Sequence, residues 1–112
     1  MLYIFNSLII PISQQYNTAT VTFRRVTVEE AKKLLETEAF ISAVGHESTA
    51  NLLSRLLDRP IAMNRITVAM SVGDQALHFV LKTRLPEGRV LSEEELRNFE
   101  FELIHSKVVS AQ

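Results

Sequence analysis

The chain contains no cysteine, which excludes a disulfide, a thiolate metal site and a cysteine nucleophile, and which suits an intracellular setting. It also has almost no net charge, because twelve basic residues stand against thirteen acidic ones to give −1. A general nucleic-acid coat protein or a regulator that docks on duplex DNA needs many phosphate contacts, and this chain has neither the basic surplus nor a basic recognition helix. A small anionic ligand is not excluded, since it requires only a few positive groups converging locally. Long apolar runs are lacking too: residues 2–12 are interrupted by Asn6, Ser7 and Pro11 and are too short to cross a bilayer as a helix. The start carries no basic leader and no small-residue cleavage site, so the expected location is the cytoplasm. The glycines form neither a P-loop nor a dinucleotide fingerprint, and no internal repeat, heptad run or Pro- and Gly-rich linker divides the chain.

What is present is a foldable single domain. Hydrophobic residues make up 46% and charged residues 22% of 112 residues, which allows one real core and argues against a second domain. Residues 2–10 are apolar on both alternating faces, as in a central strand covered on both sides, with Asn6 and Ser7 as its polar exceptions. Residues 18–25 form a more polar strand, suited to an edge. Thr27-Val28-Glu29-Glu30 has the form of a capping box, and Val28, Ala31, Leu34 and Leu35 extend an apolar stripe to about Thr37. Residues 39–44 link this helix to a second over residues 47–57, where Ala50, Leu52, Leu53, Leu56 and Leu57 recur at helical intervals before Pro60. Residues 65–72 alternate as a strand, the turn Gly73-Asp74-Gln75 follows, and Leu77, Phe79 and Leu81 give the next strand its core face, so a hairpin is expected. His78, Lys82 and Arg84 share that strand's other face. After the turn at Pro86-Glu87-Gly88, Ser92-Glu93-Glu94-Glu95 is a second capping box, and residues 101–109 form a last strand. The expected fold is α/β: one domain, residues 1–112, with a mixed, roughly five-stranded sheet flanked by helices.

The stretch Gly45-His46-Glu47-Ser48-Thr49 is where chemistry is expected. His46 stands at a helix entrance, where unpaired N–H groups and the positive end of the helix dipole favour an anion such as phosphate. The commoner role for such a histidine is simply to lead into the helix, with Ser48 or Thr49 helping to cap it. Metal chemistry is not expected, because His46, His78 and His105 are scattered and there is no HExxH motif or EF-hand loop. No serine occupies a nucleophile elbow. What remains is His46 with Arg84 and Glu87. A histidine moves a proton near neutral pH, an arginine holds phosphoryl oxygens in a planar fork, and a glutamate orients a base or hydroxyl. That set suits metal-free cleavage of an RNA phosphodiester by its own ribose 2′-OH. It also suits a surface arginine and a turn glutamate with no catalytic role.

Leu2-Tyr3-Ile4-Phe5-Asn6-Ser7, Gly45-His46-Glu47-Ser48-Thr49 and Arg84-Leu85-Pro86-Glu87-Gly88, in this order and spacing, resemble the viral type III anti-CRISPR ring-nuclease family and its cellular relatives over nearly the whole chain. The resemblance implies a small α/β domain that forms a symmetric homodimer and binds cyclic tetra-adenylate across the subunit interface. It implies cleavage to linear di-adenylates without metal or cofactor, which switches off type III CRISPR signalling. His46 then matches the general acid, Glu87 the catalytic glutamate and Arg84 the arginine at the scissile region. Asn6 matches a ligand-contacting asparagine, with Ser7, Gly45, Ser48 and Thr49 beside the ligand. A serine that some members carry a few residues after the asparagine falls at Ile9 here. The alternative expectation is a module of the same fold that sequesters a nucleotide or blocks a partner protein without turnover.

Overall fold

The computed structural model describes residues 1–82, 92, 94, 95, 98 and 100–112. Its elements in chain order are β1 (Leu2–Phe5), β2 (Ala19–Val26), α1 (Val28–Thr37), β3 (Phe40–Ser42), α2 (Glu47–Leu56), β4 (Gln75–Leu81) and β5 (Phe101–Ala111). The strands form one five-stranded mixed sheet in the order β2-β5-β4-β1-β3. β1 pairs in parallel with both β3 and β4, whereas β5 is antiparallel to both β4 and β2. This is the α/β single-sheet architecture that the sequence predicts.

Alternation along β1 divides the interior in two. Leu2 and Ile4 join Leu77, Phe79 and Leu103 on one face, and there they pack with Ala31 and Leu35 of α1 and with Ala50, Leu52 and Leu53 of α2. Tyr3 and Phe5 point to the other face, with Ala76, Val108 and Met70, where Ile10, Ile12 and Val68 from extended segments complete the cover. Both helices thus lie on one side, and the second side is closed by irregular chain. β1 and β4, in the middle of the sheet, are therefore covered on two faces, as expected for interior strands.

α1 begins as its sequence dictates. The Thr27 side chain accepts the Glu30 N–H at 3.1 Å while the Glu30 carboxylate accepts the Thr27 N–H at 3.0 Å, which satisfies two donors that the first helical turn leaves over. Those same bonds, with Arg24 adding its charge, hold the Glu30 carboxyl below its ordinary value. Ser92 and Glu95 repeat the reciprocal pattern at 3.2 and 3.1 Å, as their spacing predicts. α2 ends before Pro60 is reached: Asp58 turns left-handed at φ 51°, and the Arg59 N–H reaches back to the Ser54 carbonyl at 3.1 Å.

Three expectations need correction. The strand expected over residues 65–72 is absent, and no hairpin precedes β4. β4 already has β1 on one edge and β5 on the other, so no edge is open to a further partner. The alternation instead reflects an extended segment lying over the second face, where Val68 and Met70 pack inward while Ile66 and Val72 are exposed. The strand expected over residues 2–10 stops at Phe5, because the chain bends at Asn6 and Ser7. The link expected over residues 39–44 contains β3, whose three residues are too few for any periodicity to register.

Candidate functional site

The parallel strands β1 and β3 end side by side, and the Ala43 N–H donates to the Ile4 carbonyl at 2.8 Å as the pair runs out. Beyond that point β1 leads into Asn6 and Ser7, and β3 leads through Val44 to Gly45, His46 and α2. Carboxyl ends of parallel strands are where open α/β sheets place their ligands, because the chain there turns away and leaves a crevice walled by helix starts.

The two exits are tied together. The Asn6 Oδ1 accepts the Gly45 N–H at 3.3 Å, and Arg65 Nε donates to the Gly45 carbonyl at 2.8 Å. Arg65 reaches this position because residues 62–65 dock along β3. The Asn64 N–H donates to the Val44 carbonyl at 2.8 Å, Asn64 Nδ2 donates to the Ser42 carbonyl at 2.7 Å, and Val44 forms a bridge with Met63. Gly45 is thus held by its amide and its carbonyl from two different segments.

His46 follows as the N-cap residue of α2, in extended conformation with φ −130° and ψ 132°, and its side chain makes no capping hydrogen bond. Its imidazole is exposed. The amides that open α2 have no intrahelical acceptor, as at any helix start, and the dipole adds partial positive charge there. Asn6, Ala43, Gly45, His46, Arg65, Ile66 and Thr67 line one open depression of about 470 Å³. An amide, an imidazole, a guanidinium and a hydroxyl therefore share one small surface, a set that can bind a phosphodiester and supply a proton.

Of the residues singled out from sequence, Asn6, Gly45 and His46 come together here. Ser7 adjoins Asn6, but its contribution is a backbone carbonyl directed at His78. Ser48 and Thr49 sit on the first turn of α2 outside the lining, and Thr49 is only 6% exposed. Arg84 and Glu87 lie outside the described residues. β4 is parallel to β1, so Leu81 and Lys82 lie at the same end of the sheet as Asn6 and Gly45. There the Lys82 N–H donates to the Glu100 carbonyl at 2.9 Å. Two larger hollows lie elsewhere, one against β2 and one beyond the end of α2.

Sequence reasoning missed Arg65 and Thr67. The signal was the shared parity of Arg65, Thr67, Ala69 and Ser71 within the alternating segment, which placed the two polar side chains on one face without showing what that face met.

Comparison with other proteins gives this arrangement a family context. Residues 2–103 match the STIV B116-like family. The chain is 44% identical over 113 residues to uncharacterized protein 26 of Sulfolobus islandicus filamentous virus, covering 98% of this chain and 93% of that protein. It is 41% identical over 112 residues to uncharacterized protein ORF117 of Acidianus two-tailed virus, covering 97% and 94%. The structure of B116 from Sulfolobus turreted icosahedral virus superposes with a TM-score of 0.80 at 29% identity, over 95% of this chain and 97% of that one. Among the described residues no helix is long and apolar enough to cross a membrane. With the sheet, the helices and the matched length in agreement, this chain belongs to the STIV B116-like family, which includes viral proteins.

Proposed function

We propose that the protein is a metal-independent ring nuclease that binds cyclic tetra-adenylate and cleaves it to linear di-adenylates, ending type III CRISPR signalling in the host cytoplasm. The observation that carries this reading is the convergence of Asn6, His46 and Arg65 around one open depression at the start of α2. The three sequence motifs that resemble the ring-nuclease family add Arg84 and Glu87 to the set.

In this reading a phosphate of the ring rests against the α2 start and the guanidinium of Arg65, whose Nε is occupied by Gly45 and whose remaining N–H groups are available to the ligand. The adjacent ribose 2′-oxygen attacks phosphorus, and the P–O5′ bond breaks. His46 gives its proton to the departing 5′-oxygen, Glu87 orients or deprotonates the 2′-OH, and Arg84 stabilises charge on the phosphoryl oxygens. The products carry a 2′,3′-cyclic phosphate and a 5′-OH.

The same reading calls for a homodimer. The ring has approximate two-fold symmetry, and one small domain offers few convergent donors, so a site shared across a two-fold axis supplies each group twice. Ile66 lines the depression, Leu8 and Ile9 follow Asn6 and Ser7 in the chain, and their exposure, at 44, 49 and 50%, suits an interface beside the ligand. Light scattering that finds only monomer, with and without ligand, contradicts the dimer.

The test of activity is incubation with cyclic tetra-adenylate in molar excess over protein, followed by separation of products. Linear di-adenylate in amounts beyond one equivalent supports the proposal. Tight binding with no product supports a sequestering module, and absence of both overturns the assignment.

A further inference from the structure

Among the described residues His78 is the titratable side chain that is buried completely, at 0% exposure. It lies on β4 and faces the side of the sheet closed by extended chain. Its ring stacks on Phe5 with centroids 5.6 Å apart and planes 18° apart. Nδ1 is 3.1 Å from the Ser7 carbonyl oxygen, which can only accept, so Nδ1 carries the proton and donates. In the neutral ring Nε2 is then an acceptor, and the Ser106 hydroxyl, 2.8 Å away and also 0% exposed, donates to it. Both ring nitrogens are thereby used, and burial holds the pKa below its ordinary value, which keeps the ring neutral.

On the neighbouring strand β1 and the bend that follows it, His78 touches Phe5 and Ser7, and the residue between them is Asn6. The ring is fixed from behind by Ser106 on β5, whose backbone pairs with Ala76 of β4. In front it grips the bend at which β1 leaves the sheet. Asn6 in turn accepts the Gly45 N–H, and Gly45 precedes His46. A continuous path of packed and hydrogen-bonded groups thus runs from β5 through the core to the candidate site.

We propose that His78 is a positioning residue: its ring, held by Ser106, clamps the Phe5–Ser7 bend and so sets Asn6 against Gly45 at the approach to His46. An apolar residue would fill the same space, but it would leave the Ser7 carbonyl unanchored and the Ser106 hydroxyl buried without a partner. The structural part of this proposal stands alone, and its effect on cleavage rests on the ring-nuclease reading.

The experiment compares the wild type with the double variant His78→Phe, Ser106→Ala, which keeps an aromatic ring against Phe5 and leaves no hydroxyl buried unpaired. His78→Asn, which retains an N–H near the position of Nδ1, is the rescue variant. In ligand-free protein, ¹⁵N spectra should report the Nδ1–H tautomer of His78. Exchange of the Gly45 amide should quicken about tenfold in the double variant, the scale of one lost hydrogen bond, while the Leu103 amide in β5 is unchanged and His78→Asn returns towards wild type. With cyclic tetra-adenylate, the double variant should lower kcat by about tenfold through misplacement of His46, and His78→Asn should recover part of it. A folded double variant with unaltered Gly45 exchange overturns the proposal whatever the ligand results. If the double variant does not fold, Ser106→Ala alone replaces it, and unchanged Gly45 exchange there also overturns the proposal. A wild type that neither binds nor cleaves the ring defeats the ring-nuclease reading, while the Gly45 measurement still decides the positioning role.

Discussion

The Asn6 side chain accepts the Gly45 backbone N–H at 3.3 Å across a sequence separation of 39 residues. That bond joins the exits of two adjacent parallel strands, and with the Arg65 contact on the Gly45 carbonyl it fixes the corner from which His46 projects. The candidate site is therefore built by backbone anchoring, while the imidazole itself stays exposed and unspent on capping.

An imidazole that is exposed and makes no structural bond should be removable without harm to the fold. His46→Ala should leave thermal stability and ligand affinity nearly unchanged and slow cleavage by at least about a hundredfold, the usual lower bound for loss of a general acid. Single-turnover rates with a parallel binding titration check this, and near-normal turnover contradicts the role given to His46.

In the proposed reading Arg65 has two tasks, so its loss should register in binding. Arg65→Ala removes both the contact to Gly45 and a positive group from the depression, and the Kd for cyclic tetra-adenylate should rise by roughly tenfold or more, as for loss of a charge-assisted hydrogen bond. Lysine should restore little, because it lacks the planar fork that holds Gly45 and phosphate together. Calorimetric titration at fixed salt distinguishes these outcomes.

Part of the candidate site was legible in the sequence. The glycine and histidine ahead of a helical pattern marked the α2 start, and the capping box at Thr27 marked α1. Arg65 was hidden because alternation is common to a paired strand and to an extended segment laid over a sheet. Pairing depends on which strand edges remain open, and both edges of β4 are taken, one by β5, the next strand in the chain, and one by β1, from its beginning. β3 was hidden for a different reason: three residues carry too little pattern, and its existence depends on β1 offering an edge. The bend at Asn6 was half visible, since two polar residues in an apolar run required partners, but nothing local named Gly45 and His78 as the groups they serve.

The capping box can be tested independently of function. Thr27→Ala should lower stability by about 1 kcal/mol through loss of the Glu30 N–H acceptor, which for a chain of this size moves Tm by roughly 4–8 °C. Thermal unfolding at neutral pH measures it, and the variant should keep its cleavage rate.

Acid should weaken the fold through buried His78 and half-buried His105. Burial is the main cause that holds both His78 and His105 below the ordinary value of 6.5, with His105 also repelled by Arg24. As pH falls beneath 6.5 the unfolded chain takes up protons that the folded chain refuses. This stabilisation is therefore complete above the ordinary value and is lost progressively as pH falls through the folded values. The carboxyls of Glu30 and Glu102 are held below 4.5 and act in a separate, more acidic window. Tm measured between about pH 7.5 and about pH 5 should fall in the wild type, and fall less in the His78→Phe, Ser106→Ala double variant.

The most direct measurement of the central claim is cleavage of cyclic tetra-adenylate in excess EDTA, alongside an analogue in which one attacking 2′-OH is replaced by hydrogen. An internal nucleophile with His46 as acid predicts that the natural ring is cut despite EDTA, giving a 2′,3′-cyclic phosphate and a 5′-OH, and that the deoxy linkage stays intact. Cleavage of the deoxy linkage, together with inhibition by EDTA, would mean that a metal-activated water is the nucleophile and would contradict the mechanism proposed for His46.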